Sequence, residues 1–235
     1  MHPIYDTIFT RRDVRRFRPD SVPQPVLSRL LLAAHHAPSV GFMQPWNFIV
    51  IRDLAVKAQV KQAFLDANGR AARHYHGQRR SLYDRLKLEG ILEAPINLCV
   101  TCDRSRFGPH VLGRNSIRET DLFSTCCAIQ NLWLAASAEG VGVGWVSILE
   151  PDDVRRILQI PKRIVPVAYL CIGYPEVLLP KPELELFGWA PRLPLKDLIF
   201  IDRWGAREPA LHDGDRGLME SSITAETCGP VEKGG

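Results

Sequence analysis

Apolar positions recur along the chain at two different periods. In PQPVLSRLLLAAHHAPS, Val26, Leu27, Leu30, Leu31 and Ala34 fall at helical spacing and Pro38 closes the run, which predicts an amphipathic helix. The next segment, WNFIVI (46–51), is short, aromatic and β-branched between Pro45 and Arg52, and reads as a buried strand. A helix over about 54–68 and a second strand, INLCVT (96–101), follow. Residues 119–139 predict a helix with Leu122, Cys126, Ile129, Trp133 and Ala136 on one face and Phe123, Cys127 and Leu134 on another. A helix apolar on several faces is either central or covered by a second subunit. VGVGWVSI (141–148) reads as a strand, PDDVRRILQI as a short capped helix, and 165–172 as a further strand.

Two stretches interrupt this pattern. Residues 69–90 are basic, rich in His and Tyr and poor in aliphatics, so they cannot form a core layer and predict a mobile helical excursion over a surface. Residues 103–118 form a polar, glycine-containing loop, and loops of that length inside a domain usually carry function. The polar tail 206–235 is expected to be poorly ordered. Strands alternating with helices, without repeats or a linker, imply one α/β domain over 1–205. A doubly wound dinucleotide fold is disfavoured: no G-x-G-x-x-G turn follows a strand, and Gly140, Gly142 and Gly144 lie in a helix-to-strand passage.

Composition narrows the class. With 235 residues, 46% hydrophobic and 24% charged, the chain can bury a large core without staples. A net charge of +4 falls short of the concentrated basic surface of a nucleic-acid binder. The six cysteines (99, 102, 126, 127, 171, 228) form no regular framework, which points to a reducing, cytoplasmic setting. MHPIYDTIFTRRD lacks the apolar core of a secretory signal, and 122–149 carries Gln130, Asn131, Ser137 and Glu139, so neither export nor a membrane span is expected.

Three clusters could carry chemistry. In RRDVRRFR, Arg11, Arg12 and Arg15 offer forked, permanently charged donors suited to one phosphate, or else form a solvated basic turn. Asp13 among them is a structural counter-ion or a poised base. In HAPSVGFMQPWNF, Ser39 and Gly41 sit in a turn that offers amides and a hydroxyl to a polar ring system, or simply connects helix to strand. Ser147 ends a predicted strand, where side chains face a cleft, or is an ordinary polar residue. Cys99-x-x-Cys102 has no second pair to complete a zinc site, and His35, His36, His74, His76 and His110 are not spaced as metal ligands, so no metal is expected. Neither a G-x-S-x-G elbow nor a P-loop is present.

Taken in order, RRDVRRFRPD, APSVGFMQPWNFIVI, GVGWVSIL and WAPRLPL (189–195) resemble the nitroreductase-fold flavoproteins, whose R-R-S/D-x-R motif holds the FMN phosphate. The likeness covers about residues 4–205. Asp13, where ordinary members carry Ser, together with Ser147, resembles one branch of that family, in which reduced FMN is itself the substrate. The resemblance implies an α+β, FMN-dependent nitroreductase fold, a central mixed sheet flanked by helices, and a homodimer with FMN at the interface. It implies that Arg11, Arg12 and Arg15 bind the phosphate, that Asp13, Val14, Ser39, Gly41 and Gln44 line the flavin, and that Arg192 completes the phosphate site. Asp13 and Ser147 would be catalytic, and 69–90 would form a lid. The implied reaction is O2-dependent fragmentation of reduced FMN to 5,6-dimethylbenzimidazole, the lower ligand of cobalamin, and erythrose 4-phosphate. NAD(P)H or a separate flavin reductase would supply electrons. The alternatives are a conventional NAD(P)H-dependent nitroreductase or flavin reductase that recycles its FMN and, more remotely, a basic nucleic-acid-binding module.

Overall fold

The computed structural model describes residues 2–206, so the expected tail lies, past Ala206, outside the described residues. Four strands form one sheet in the order β1-β2-β4-β3: β1 (Trp46–Ile51), β2 (Ile96–Asp103), β3 (Gly142–Trp145) and β4 (Ile164–Gly173). Every strand pair is antiparallel. The expected α/β domain and mixed sheet are corrected on this point: the fold is α+β, and among the described residues parallel pairing is confined to an isolated bridge between Asp13 and Val143. Strand direction depends on how the connections cross, which no local pattern records.

Among the described residues seven helices accompany the sheet: α1 (Pro3–Thr10), α2 (Gln24–His35), α3 (Leu54–Ala72), α4 (Gly77–Arg85), α5 (Thr120–Ala138), α6 (Pro151–Ile157) and α7 (Glu183–Leu186). On β2 and β4, alternate side chains serve two cores. Ile96, Leu98, Val100, Ala168, Leu170 and Ile172 pack with α2 and α5, through Leu30, Ile129 and Leu132 among others. Cys99, Tyr169 and Cys171 face the opposite layer, where Val60 and Phe64 of α3 and Val154 of α6 close over them. Burial on both faces removes the alternating pattern, which is why these strands read as continuous apolar runs. Pro166 cannot donate to a ladder and sits beside the register shift between Val100 and Thr101.

Several bounds differ from expectation. α3 runs on to Ala72, its start fixed by the Asp53 carboxylate accepting from Ala55 N–H at 2.7 Å and Val56 N–H at 3.2 Å. β3 stops at Trp145, so Ser147 lies exposed beyond the strand rather than at its end. α6 starts at Pro151 without the expected side-chain cap. The excursion 69–90 is helical, with Tyr83 of α4 buried. The described chain divides into compact units after Trp189, and in the second unit a 3-10 turn spans Leu195–Leu198. Among the described residues no helix is long and apolar enough to cross a membrane.

Candidate active site

The arginine segment leaves α1 in extended form and lies along β3. Val14 N–H donates to Val143 O at 3.0 Å, and the Asp13 carboxylate accepts from the main-chain N–H of Trp145 at 2.9 Å, so a side chain continues the ladder. Gly142 and Gly144 make this approach possible. A Cβ at Gly144 would stand 2.0 Å from Val14 O, and one at Gly142 2.8 Å from Val14 Cγ2. Gly144 must stay bare because its contact is with another backbone, and Gly142 because the Val14 side chain rests on it.

The three arginines expected to converge on one phosphate go to three different places. Arg11 lies over the Trp133 ring, 4.8 Å from its centroid, and has no carboxylate partner among the described residues. Arg12 donates to Leu179 O at 3.0 Å, Phe9 O at 2.8 Å and Arg11 O at 2.9 Å, and also to Pro180 O, which ties 179–180 across its own segment. Arg15 bridges two carboxylates, Asp13 and, at 3.0 Å, Glu183. Glu183 is also held by Arg16 at 2.8 Å. Burial, the largest influence, raises the Asp13 carboxyl above its ordinary range and Glu183 adds to the rise, while Arg15, the Trp145 N–H and Arg11 pull it down. The outcome is a fixed carboxylate that accepts a proton more readily than a surface one.

Ser39, Gly41 and Gln44 occupy the loop between α2 and β1. Ser39 Oγ accepts from Gln44 N–H at 3.0 Å, and Ser124 Oγ on α5 accepts from Val40 N–H at 3.0 Å. Gly41, Phe42 and Gln44 all have left-handed backbone, with φ of 52°, 53° and 46°. Such a run is held only by surroundings that over-determine it. Arg106 supplies part of that hold by donating to Gln44 O, to Trp46 O at 3.1 Å and to Asn47 Oδ1 at 2.5 Å. Loop 103–118 thus braces this turn, and a Cβ at Gly41 would meet Leu112 O at 2.7 Å.

These clusters are apart within the chain. Ser124 anchors the 39–44 turn, whereas Trp133, whose indole N–H donates to Arg12 O at 3.3 Å, anchors the arginine segment. At 1.5 Å per residue the two anchors lie roughly 13 Å apart along α5. Ser147 is exposed past β3, and Arg192 is exposed in the second unit. On α4, Tyr83 stacks on Tyr75 at 4.7 Å. Arg79 lies 3.7 Å over the Trp189 ring and donates to Trp189 O at 2.7 Å.

Glu183 and Arg106 are absent from the sequence analysis, and Gly142 and Gly144 enter it only as glycines in the wrong context for a dinucleotide turn. Each matters through a partner far along the chain, and only the glycines left a visible signal. The residues present suit FMN: a guanidinium on an aromatic face without a carboxylate partner fits a phosphate dianion, and a desolvated acid stands beside it. Among the described residues no group of three or more His, Cys, Asp or Glu side chains is gathered for a metal.

Residues 8–174 match the Nitroreductase family, and the chain belongs to it. It is 45% identical over 190 residues to a protein of Rhodospirillum rubrum named 5,6-dimethylbenzimidazole synthase, covering 80% of this chain and 90% of that one. A Rhodobacter capsulatus protein of the same name is 44% identical over 184 residues, 78% of this chain and 89% of that one. Among solved structures, iodotyrosine deiodinase bound to FMN and 3-iodo-L-tyrosine superposes with a TM-score of 0.67 at 24% identity, covering 86% of this chain and 99% of that one. The NfrA1 nitroreductase of B. subtilis gives 0.65 at 19%, covering 86% and 74%. At these identities the structures establish the fold alone.

Proposed function

We propose that this protein converts reduced FMN and dioxygen to 5,6-dimethylbenzimidazole and erythrose 4-phosphate. The observation that carries the reading is Asp13: a carboxylate fixed by the Trp145 N–H and Arg15, desolvated, and near Arg11, which among the described residues forms no salt bridge. The R. rubrum and R. capsulatus likenesses support it. Reduced FMN, when bound, supplies the oxygen-reactive ring and the ribityl carbon that the product retains. Arg11 takes the phosphate, Arg12 holds the segment in shape, and Asp13 accepts a proton from a ribityl hydroxyl as the sugar chain is cut. Ser147 donates a hydrogen bond at the reacting ring. Helix α4, fastened through Arg79 to Trp189, excludes water from the reaction.

The partner is a second copy. Helix α1 leaves Ile4, Tyr5, Ile8 and Phe9 exposed, and α5 leaves Phe123 exposed. Apolar side chains gathered on neighbouring helices mark an interface. Because the arginine segment and the 39–44 turn stand at separate points on α5, each FMN takes its phosphate anchor from one protomer and its flavin-facing turn from the other. NAD(P)H or a separate reductase supplies the electrons, in a cytoplasmic setting that keeps the thiols reduced.

The test is aerobic turnover of stoichiometric reduced FMN, with products separated by chromatography. Dimethylbenzimidazole is expected; intact FMN and hydrogen peroxide alone would make the protein a recycling reductase. Ser147→Ala is expected to keep its FMN affinity, measured by fluorescence quenching, and to lose product by about a hundredfold.

A further inference from the structure

Arg15 is poorly placed to serve as a simple phosphate ligand. Its guanidinium is already divided between two acids, with Nη2 on Asp13 Oδ2 and Nη1 on Glu183 Oε2 at 3.0 Å. Glu183 is in turn divided between two guanidinium groups, since its Oε1 accepts from Arg16 at 2.8 Å. Asp13, Arg15, Glu183 and Arg16 therefore form an alternating chain of charge. Its middle is buried: the side chains of Arg15 and Glu183 are 11% and 5% exposed, while that of Arg16 is 40% exposed.

Glu183 is delivered to this point by a strap zipped along the arginine segment. Arg18 N–H donates to Tyr174 O at 2.9 Å, Glu176 N–H donates to Arg16 O at 3.1 Å, Phe17 bridges Pro175, and Arg12 grips Leu179 O and Pro180 O. A buried, bidentate guanidinium with both edges taken has little rotational freedom left.

We infer that Glu183 is a positioning residue for the reaction proposed above: by taking one edge of the buried Arg15 guanidinium it fixes the other edge against Asp13. The inference rests on the role given to Asp13. The charged groups that face Asp13 are Arg15 and Arg11, which favour its ionised form, and Glu183, which opposes it, with the Trp145 N–H as neutral donor; the Cys171 thiol of β4, which senses Asp13, is pushed up to about 12, chiefly by burial, and stays neutral. Removing the charge of Glu183 acts twice in one direction. It takes away a nearby negative charge, and it leaves the positive charge of Arg15 to Asp13 alone. Both effects lower the Asp13 midpoint. Arg16 acts the opposite way, because without it Glu183 is less neutralised and the midpoint rises.

Two measurements on the full-length protein test this. The first is the midpoint of the Asp13 carboxyl carbon-13 resonance, identified by its loss in Asp13→Asn. The second is the acid limb of product formation. Glu183→Gln is expected to lower the midpoint by about half a unit or more and to raise the relative rate on the acid side about threefold. Glu183→Asp, which keeps the charge, is expected to stay near the wild-type value. Arg16→Gln, at a half-exposed position, is expected to move the midpoint up, and it keeps the test open if Glu183→Gln does not fold. A midpoint that stays put in both Glu183→Gln and Arg16→Gln, or that Glu183→Asp shifts as far as Glu183→Gln does, overturns the inference. Shifted midpoints in a wild-type protein that makes no benzimidazole would remove the reaction and leave the positioning intact.

Discussion

Asp13 sits where folding and chemistry want different things. Its carboxyl is raised by burial, so the charged form is less welcome in the folded chain than in the unfolded one. Its contribution is fully present below the ordinary carboxylate midpoint of the unfolded chain and is lost as pH rises from there through the raised folded midpoint. Asp13→Asn is therefore expected to melt higher at neutral pH, with the gap closing in acid, as calorimetry across pH would show. Product formation should fall at least a hundredfold. The two leading arginines should separate just as cleanly. Arg11→Gln is expected to weaken FMN binding roughly tenfold with little loss of stability. Arg12→Gln should cost roughly 1–3 kcal/mol of folding, read from denaturant midpoints, by leaving the carbonyls of Leu179 and Phe9 unserved. The charge run announced that this segment binds an anion or lies in solvent. It could not divide the labour among the arginines, because the partners that tell them apart, Trp133, Leu179, Pro180 and Glu183, lie well over a hundred residues along the chain.

Helices and strands were mostly readable because burial pattern and punctuation agreed. β1 appears at Trp46–Ile51 as expected, bounded by Pro45 and Arg52, and α5 starts and ends within a residue of the reading. The direction of the strands was not readable, since antiparallel and parallel strands buried on both faces share one composition. The glycines before Trp145 were visible and their purpose was not: it is set by a segment near the amino terminus that lies against them. Gly144→Ala is expected to cost 3 kcal/mol or more and to abolish FMN binding, since a methyl group 2.0 Å from the Val14 carbonyl must push two backbones apart. Urea unfolding with a parallel flavin titration would show both effects.

For the assembled protein, the layout along α5 is the main constraint. In the shared-site reading proposed above, the phosphate anchor and the flavin-facing turn, roughly 13 Å apart along one helix, belong to two different FMN sites. Phe123→Glu, which puts a charge at the exposed face of α5, is expected to give monomers by light scattering, with FMN affinity reduced at least a hundredfold. A monomer that still binds flavin tightly would contradict the shared-site reading. Single-chain patterns showed that α5 was too apolar for a lone surface helix, yet held no record of which copy supplies which half.

The paired glycines of β3 have a broader meaning for how such a protein can change over generations. By letting one backbone rest on another, they make the acid-bearing strip an outer rib of the sheet, unable to wander without unmaking it. Helix α4, held to Trp189 through Arg79, makes no such contact with the sheet's backbone. Innovation is thereby channelled outward: descendants can refashion what closes over the ligand, and so what becomes of it, while the grip beneath stays as it was.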